Sequence, residues 1–269
     1  MSRQFHHDGI TFHYRDIGQG LPFVFQHGLS GDVSQPCGLF TPPAGIRLIS
    51  FDCRAHGETQ PLGPVNKLCF SGFADDLAAL LSHLKIDRVV IGGISMGAAL
   101  AVRFALQFPR RVMGLVPSRP AWLAGPNYEN AKLFTDIADL ICDLGPARGR
   151  EQFCRSQVYT TMMAESPDCA GSLAGQFDGQ SPVERAVRLR HIPQDAPYDQ
   201  LSELTRICVP TLVMANRQDP IHLFHYGQTI AEQIDGAEFQ ELTPKSVSSE
   251  QHAADVQLHL GNFLERHYL

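Results

Sequence analysis

Val89-Val90-Ile91-Gly92-Gly93-Ile94-Ser95-Met96-Gly97-Ala98-Ala99 is the stretch on which the reading of this chain turns. A β-branched apolar run enters it, and a run of small residues able to start a helix leaves it. Between them lies Gly93-x-Ser95-x-Gly97, the pattern of a strand-to-helix elbow that exposes a serine hydroxyl above a parallel sheet. A serine at such an apex sits in a strained backbone conformation, and small residues two positions to either side relieve the crowding. Glycine and serine are common, so the strand before the motif and the helix after it give it meaning.

Working outward, Phe5, Ile10, Phe12 and Tyr14 flank Asp8-Gly9, which predicts an antiparallel hairpin at a sheet edge. Leu21–Gln26 and Arg47–Asp52 read as short strands, the first ending in His27-Gly28-Leu29 and the second running into Cys53-Arg54-Ala55-His56-Gly57. Phe73, Leu77, Leu80, Leu81 and Leu84 share one face at helical spacing, with Ser71 as the predicted cap. The elbow helix is predicted over 96–107, with Pro109 as its stop and a strand at 113–116. From 119 to 204 no strand pattern appears, only helical ones. Strands return at 209–214 and 237–242, and a last helix carries Ala253, Val256, Leu260, Phe263 and Leu264 on one face. Strand–helix alternation broken by one helical insertion predicts a mostly parallel, doubly wound sheet with helices on both faces. The predicted core is 1–118 plus 205–269, and 119–204 is predicted to be a cap over the strands' C-terminal ends, where ligands bind in such sheets.

The chain has 269 residues, 43% of them apolar and 19% charged, with a formal net charge of −6. That balance describes an ordinary soluble globular protein and argues against a nucleic-acid surface. No apolar run approaches a membrane span, and the N-terminus lacks the hydrophobic region of a signal peptide. Seven cysteines at 37, 53, 69, 142, 154, 169 and 208 form no C-x-x-C pair, which predicts reduced thiols and a cytoplasmic location. G-x-G-x-x-G and GK[ST] patterns are missing, and the histidines show no metal-ligand spacing, so neither a cofactor nor a metal is predicted.

The order of these motifs resembles the α/β-hydrolase family over nearly the whole chain. His27-Gly28 follows an early strand, Asp52-x-Arg54-x-His56-Gly57 the next, then come the elbow, the helical segment, and Asp219 beyond the following strand. A serine hydroxyl needs a base within hydrogen-bond reach and a third group to orient that base. The family order of serine, acid and histidine implies Ser95 as nucleophile and Asp219 as acid. Where the family places Gly-His, this chain has Thr243-Pro244-Lys245-Ser246-Val247-Ser248, and the first histidine beyond is His252. Ser248-Ser249-Glu250-Gln251 reads as a capping start that puts His252 in the first turn of the last helix, where the dipole keeps an imidazole neutral. His252 is therefore the base that the resemblance implies. His222 and His225 are rivals, but a relay within the acid's own loop is geometrically awkward, and His225 is assigned instead to the pocket lining.

The attacked carbonyl develops negative charge, so backbone N–H donors must face it. Met96 N–H at the helix start is one, and the resemblance implies Leu29 N–H as the other. His27, Asp52, Arg54 and His56 are read as braces for the surrounding turns. Trp122 and Phe134 are the predicted substrate contacts, in a lining with few charges. These readings predict a serine hydrolase that cleaves a small or medium carboxylic ester through an acyl-enzyme, with a small-molecule substrate and neither nucleic acid nor membrane as partner. The missing Gly-His pair keeps a non-catalytic ligand-binding protein on the same scaffold as the alternative. Among enzymes, carbon–carbon bond hydrolases, lactonases and perhydrolases use the same triad.

Overall fold

The computed structural model describes residues 3–126 and 128–269. Strands β1 (Arg3–His7) and β2 (Ile10–Gly18) form the expected hairpin, and Asp8 and Gly9 both take positive φ in the tight turn that joins them. Strand β3 (Leu21–Gln26), helix α1 (Ser34–Leu39) and strand β4 (Ile46–Phe51) follow. Helix α2 (Phe70–His83) starts earlier than predicted, because the Cys69 thiol, not Ser71, accepts the Gly72 N–H at its cap. Strand β5 (Val89–Ile94) feeds helix α3 (Met96–Gln107), and β6 (Val112–Ser118) comes next.

The described residues between β6 and the next strand are helical or irregular. They carry α4 (Tyr128–Leu144), α5 (Pro146–Cys154), α6 (Gln157–Glu165), α7 (Pro167–Ala174), α8 (Pro182–Arg185) and α9 (Val187–His191). Strand β7 (Leu212–Ala215), helix α10 (Phe224–Gln233), strand β8 (Glu238–Glu241) and helix α11 (Ser249–Tyr268) complete the chain. Strand β7 begins after Val209-Pro210, since proline cannot donate to a ladder.

Among the described residues, eight strands form one sheet in the order β1-β2-β4-β3-β5-β6-β7-β8, antiparallel at β1-β2-β4 and parallel from β4 to β8. Both faces are covered, as near-continuous apolar strands require. On one face α2 and α3 pack Phe73, Leu77 and Leu100 against Phe12, Phe51 and Ile91, in a cluster continuous with Phe134 and Ile137 of α4. On the other, Val256, Leu260 and Phe263 of α11 pack against Phe23, Phe25 and Val90. Ser248 caps α11 by accepting the Gln251 N–H, as its sequence predicts.

The Asp52-x-Arg54-x-His56 segment is structural, as predicted. Asp52 accepts the backbone N–H groups of Val33 and Glu58 and the Nδ1–H of His13. Arg54, fully buried, donates Nε and Nη2 to the two oxygens of buried Asp76 on α2 at 2.6 and 2.7 Å, and Nη2 also reaches Asp8 in the hairpin turn. His56 sits between the carbonyls of Arg54 and Leu29. Hairpin, β4 loop and α2 are thereby tied together beside the elbow.

At the elbow itself, Ser95 has φ 57° and ψ −110°, a conformation that costs an L-residue about 1–3 kcal/mol. A Cβ on Gly93 would collide with the backbone of Gly97, and one on Gly97 with the Gln26 carbonyl of β3. Either Gly93→Ala or Gly97→Ala should therefore cost about 1–3 kcal/mol in urea unfolding and displace Ser95. Asp76→Asn should cost about 3–5 kcal/mol by leaving the buried Arg54 charge with only the half-exposed Asp8, and the loss of unfolding midpoint measures it.

Candidate functional site

The first turn of α3 has N–H groups with no earlier turn of helix to accept them, so the positive end of its dipole lies directly beneath Ser95. Ser95 itself is anchored through its backbone: its N–H donates to Ser118 O of β6, and its carbonyl accepts from Ala98 and Ala99. The loop after β3 closes over it. A Cβ on Gly28 would stand 3.4 Å from Ser95 Cβ, so the absent side chain lets the loop backbone approach the serine. Gln35 of α1 accepts the Gly28 N–H at 2.7 Å, and His27 braces the loop, donating from Nδ1 to Gly28 O and accepting the Cys53 N–H at Nε2. Burial lowers the His27 pKa and keeps the ring in this neutral form.

A cavity of about 480 Å³ opens at this point, with Ser95, Leu29, Trp122, Phe134 and Ile221 among its walls. Trp122 and Phe134 both line it, with Trp122 edge-on to Phe70 and its indole N–H without a partner among the described residues. Met96 is fully buried at the foot of the elbow, as the first residue of α3. His225 lies elsewhere: it is exposed on α10, ring against Tyr226, and is not part of the wall.

The expectation of a lining with few charges is corrected. Arg119, Asp168, His222 and Lys245 all reach the cavity, and the two cations among them are balanced by Asp168 and by Asp219, which pairs with Arg119. Arg119, held at φ 48° just after β6, donates Nε and Nη2 to Asp219 Oδ2 at 3.0 and 2.6 Å and lies 3.7 Å from Asp168. Lys245 lies 3.5 Å from Asp168. Burial lowers the Lys245 pKa, as does the neighbouring Arg119, while Asp168 works against both.

Asp219 is the hub. Burial alone would raise its pKa, but His222 and Arg119 outweigh burial and hold the carboxyl well below the usual range. Besides Arg119, its oxygens accept the His222 N–H, the Cys169 thiol at 3.3 Å and the His222 ring at 2.9 and 3.0 Å. His252 is not among its partners. That residue is buried in the first turn of α11, as predicted, yet its Nδ1–H donates to Thr243 O at 2.8 Å. It borders a separate cavity of about 170 Å³, shared with Ser118, Arg119 and Lys245. Burial first, then the charges of Arg119 and Lys245, push its pKa down to about 4.

The histidine that does pair with the acid is His222, which shares the cavity wall with Ser95. Its spacing is the missed signal: a residue three positions after an aspartate in a turn folds back onto that carboxylate. Arg119 and Lys245 gave no motif signal, although Lys245 occupies the place where the family has its Gly-His pair. Donor atoms of Cys169, Asp219 and His222 lie within 4.8 Å of one another, the arrangement of a possible metal cluster. The chemistry fits a cation poorly, because burial pushes the Cys169 thiol up to about 12 and Arg119 already occupies the carboxylate.

The model of the alpha/beta hydrolase fold family matches residues 22–242. An AB hydrolase superfamily protein of Bacillus subtilis is 26% identical over 255 residues, 87% of this chain and 87% of the relative. 3-Oxoadipate enol-lactonase 2 of Acinetobacter baylyi is 24% identical over 261 residues, 89% of this chain and 92% of the relative. The crystal structure of an enol-lactonase from Burkholderia xenovorans superposes with a TM-score of 0.75 over 98% of this chain and 100% of that one, at 21% identity, a likeness of fold. With an elbow serine at the C-terminal end of a central strand of a mostly parallel sheet and a family match over most of its length, the chain belongs to the α/β-hydrolase fold family.

Proposed function

We propose that the protein is a serine hydrolase that opens a small or medium carboxylic ester or lactone at Ser95, through an acyl-enzyme. The observation that carries this reading is Ser95 itself, held at positive φ on the elbow and facing a cavity of about 480 Å³, a size suited to a small molecule. Similarity to enol-lactonases supports the lactone side of the range. In this reading Ser95 Oγ attacks the carbonyl carbon, and the N–H groups of Met96 and Leu29 take the developing oxyanion. The dipole of α3 adds to that stabilisation. Asp219 is the acid that orients the base. The segment 119–204 acts as a cap: Trp122 and Phe134 form an apolar wall, and Asp168 with Cys169 closes the cavity from α7.

Reaction with a fluorophosphonate probe at neutral pH should place one adduct on Ser95, read by peptide mass. Ser95→Ala should abolish both the adduct and the turnover of esters and lactones across a panel of acyl lengths. An intact, folded protein that takes no adduct and turns over none of the panel, but binds one of its members at equilibrium, would instead establish a non-catalytic binding protein. The Arg119 pairing of Asp219 is the feature that favours that second reading.

A further inference from the structure

We infer that His222, and not His252, is the base that takes the proton from Ser95. The inference rests on the serine-hydrolase reading above and names a residue that the family's motif order does not. Three observations carry it. His222 is the histidine whose ring is hydrogen-bonded to Asp219, through Nδ1 at 2.9 and 3.0 Å. A carboxylate only accepts, so Nδ1 carries the proton and Nε2 holds the free lone pair that a general base needs. His222 also shares the wall of one cavity with Ser95, whereas His252 borders another and spends its Nδ1–H on the Thr243 carbonyl.

The ring is held by more than that one bond. The His222 backbone N–H donates to the same Asp219 oxygen at 3.0 Å, so the short loop between acid and base is locked at both ends. The awkwardness of a relay within one loop is thereby removed: the turn after Asp219 brings the ring back onto the carboxylate. The groups facing His222 are Asp219 on its own loop, Arg119 from the end of β6, Lys245 from the segment after β8 and Cys169 from α7, while Asp168 of α7 pairs with Arg119 and Lys245. Burial lowers its pKa, Asp219 raises it, and Arg119 and Lys245 lower it, with the lowering causes prevailing. Arg119 Nη2 lies 3.3 Å from Nδ1, and its cation disfavours any second proton on the ring.

In the acylation step the Ser95 Oγ–H proton passes to His222 Nε2 as Oγ bonds to the carbonyl carbon and the carbonyl electron pair moves onto oxygen. Collapse of that intermediate breaks the carbon–oxygen bond of the ester or lactone, and the departing alkoxide takes the proton from Nε2. Water then repeats the sequence: its proton goes to Nε2, its oxygen bonds to the acyl carbon, and Ser95 leaves and recovers the proton.

The test uses the intact protein with 4-nitrophenyl acetate and the fluorophosphonate probe. His222→Gln should lower kcat by about 10²–10⁴-fold with KM little changed. Added imidazole should restore part of the rate to His222→Ala, which a merely structural role would not allow. In the wild type, phosphonylation of Ser95 should shift the ring resonances of His222 in a ¹⁵N-histidine spectrum, a reading that needs no variant to fold. Undiminished kcat in His222→Gln, or resonance shifts confined to His252, would overturn the assignment while Ser95 stays labelled and the hydrolase reading stands. Full turnover in Ser95→Ala would instead remove that reading itself.

Discussion

The contact between Gly97 and the carbonyl of Gln26 decides where this site can exist. For Ser95 to stand over the sheet, α3 must start within van der Waals distance of β3, and a methyl group at Gly93 or Gly97 closes that space. Gln26 is itself fully buried, and its side chain spans to β4, donating to Phe51 O and accepting from the Phe51 N–H and the Ser50 hydroxyl. The strand that receives the helix is therefore held in register with its neighbour by a side chain as well as by its ladder. From the same strand end, His27 and Gly28 lead into the loop that lies against Ser95, so one close packing contact sets both the serine and its facing backbone.

Around the Asp219 carboxylate the structure solves a different problem, that of burying several charges at once. Two cations, Arg119 and Lys245, meet two carboxylates, Asp219 and Asp168, and the group is close to neutral as a whole. A buried ion pair adds little net stability because desolvation offsets its attraction. What such a pair does supply is position. Arg119 holds Asp219 by its Oδ2, which leaves Oδ1 to accept the His222 backbone, the His222 ring and the Cys169 thiol.

The fold was legible because its signals are local and repeated. The elbow, the Asp8-Gly9 turn, the apolar face of α11 and its Ser248 cap each follow from a few neighbouring residues, and the family match agrees with the architecture they imply. Ser95 was legible for the same reason, since a strand, a turn and a helix define it within a dozen residues. The histidine partner of Asp219 was not. The choice between His222 and His252 depends on which ring meets Asp219, a side-chain contact that periodicity does not encode. Arg119 illustrates the limit most sharply: it is 100 residues from Asp219 in the chain, and only the parallel pairing of β6 with β7 makes them neighbours.

The same long-range geometry explains why a lysine can stand where the family has its imidazole. Lys245 follows β8 at that place, yet it turns toward Asp168 of α7, and burial together with Arg119 depresses its pKa while Asp168 supports its charge. With the ammonium so engaged, the space beside Asp219 is left to a ring from the acid's own loop, and His222 fills it. The helical segment is then more than a wall. Asp168 balances Lys245 and Arg119, and Cys169 donates to Asp219, so the charge balance of the centre depends on the position of α7. A carboxylate shared among a strand end, a loop and α7 couples the position of that helix to the orientation of the His222 ring.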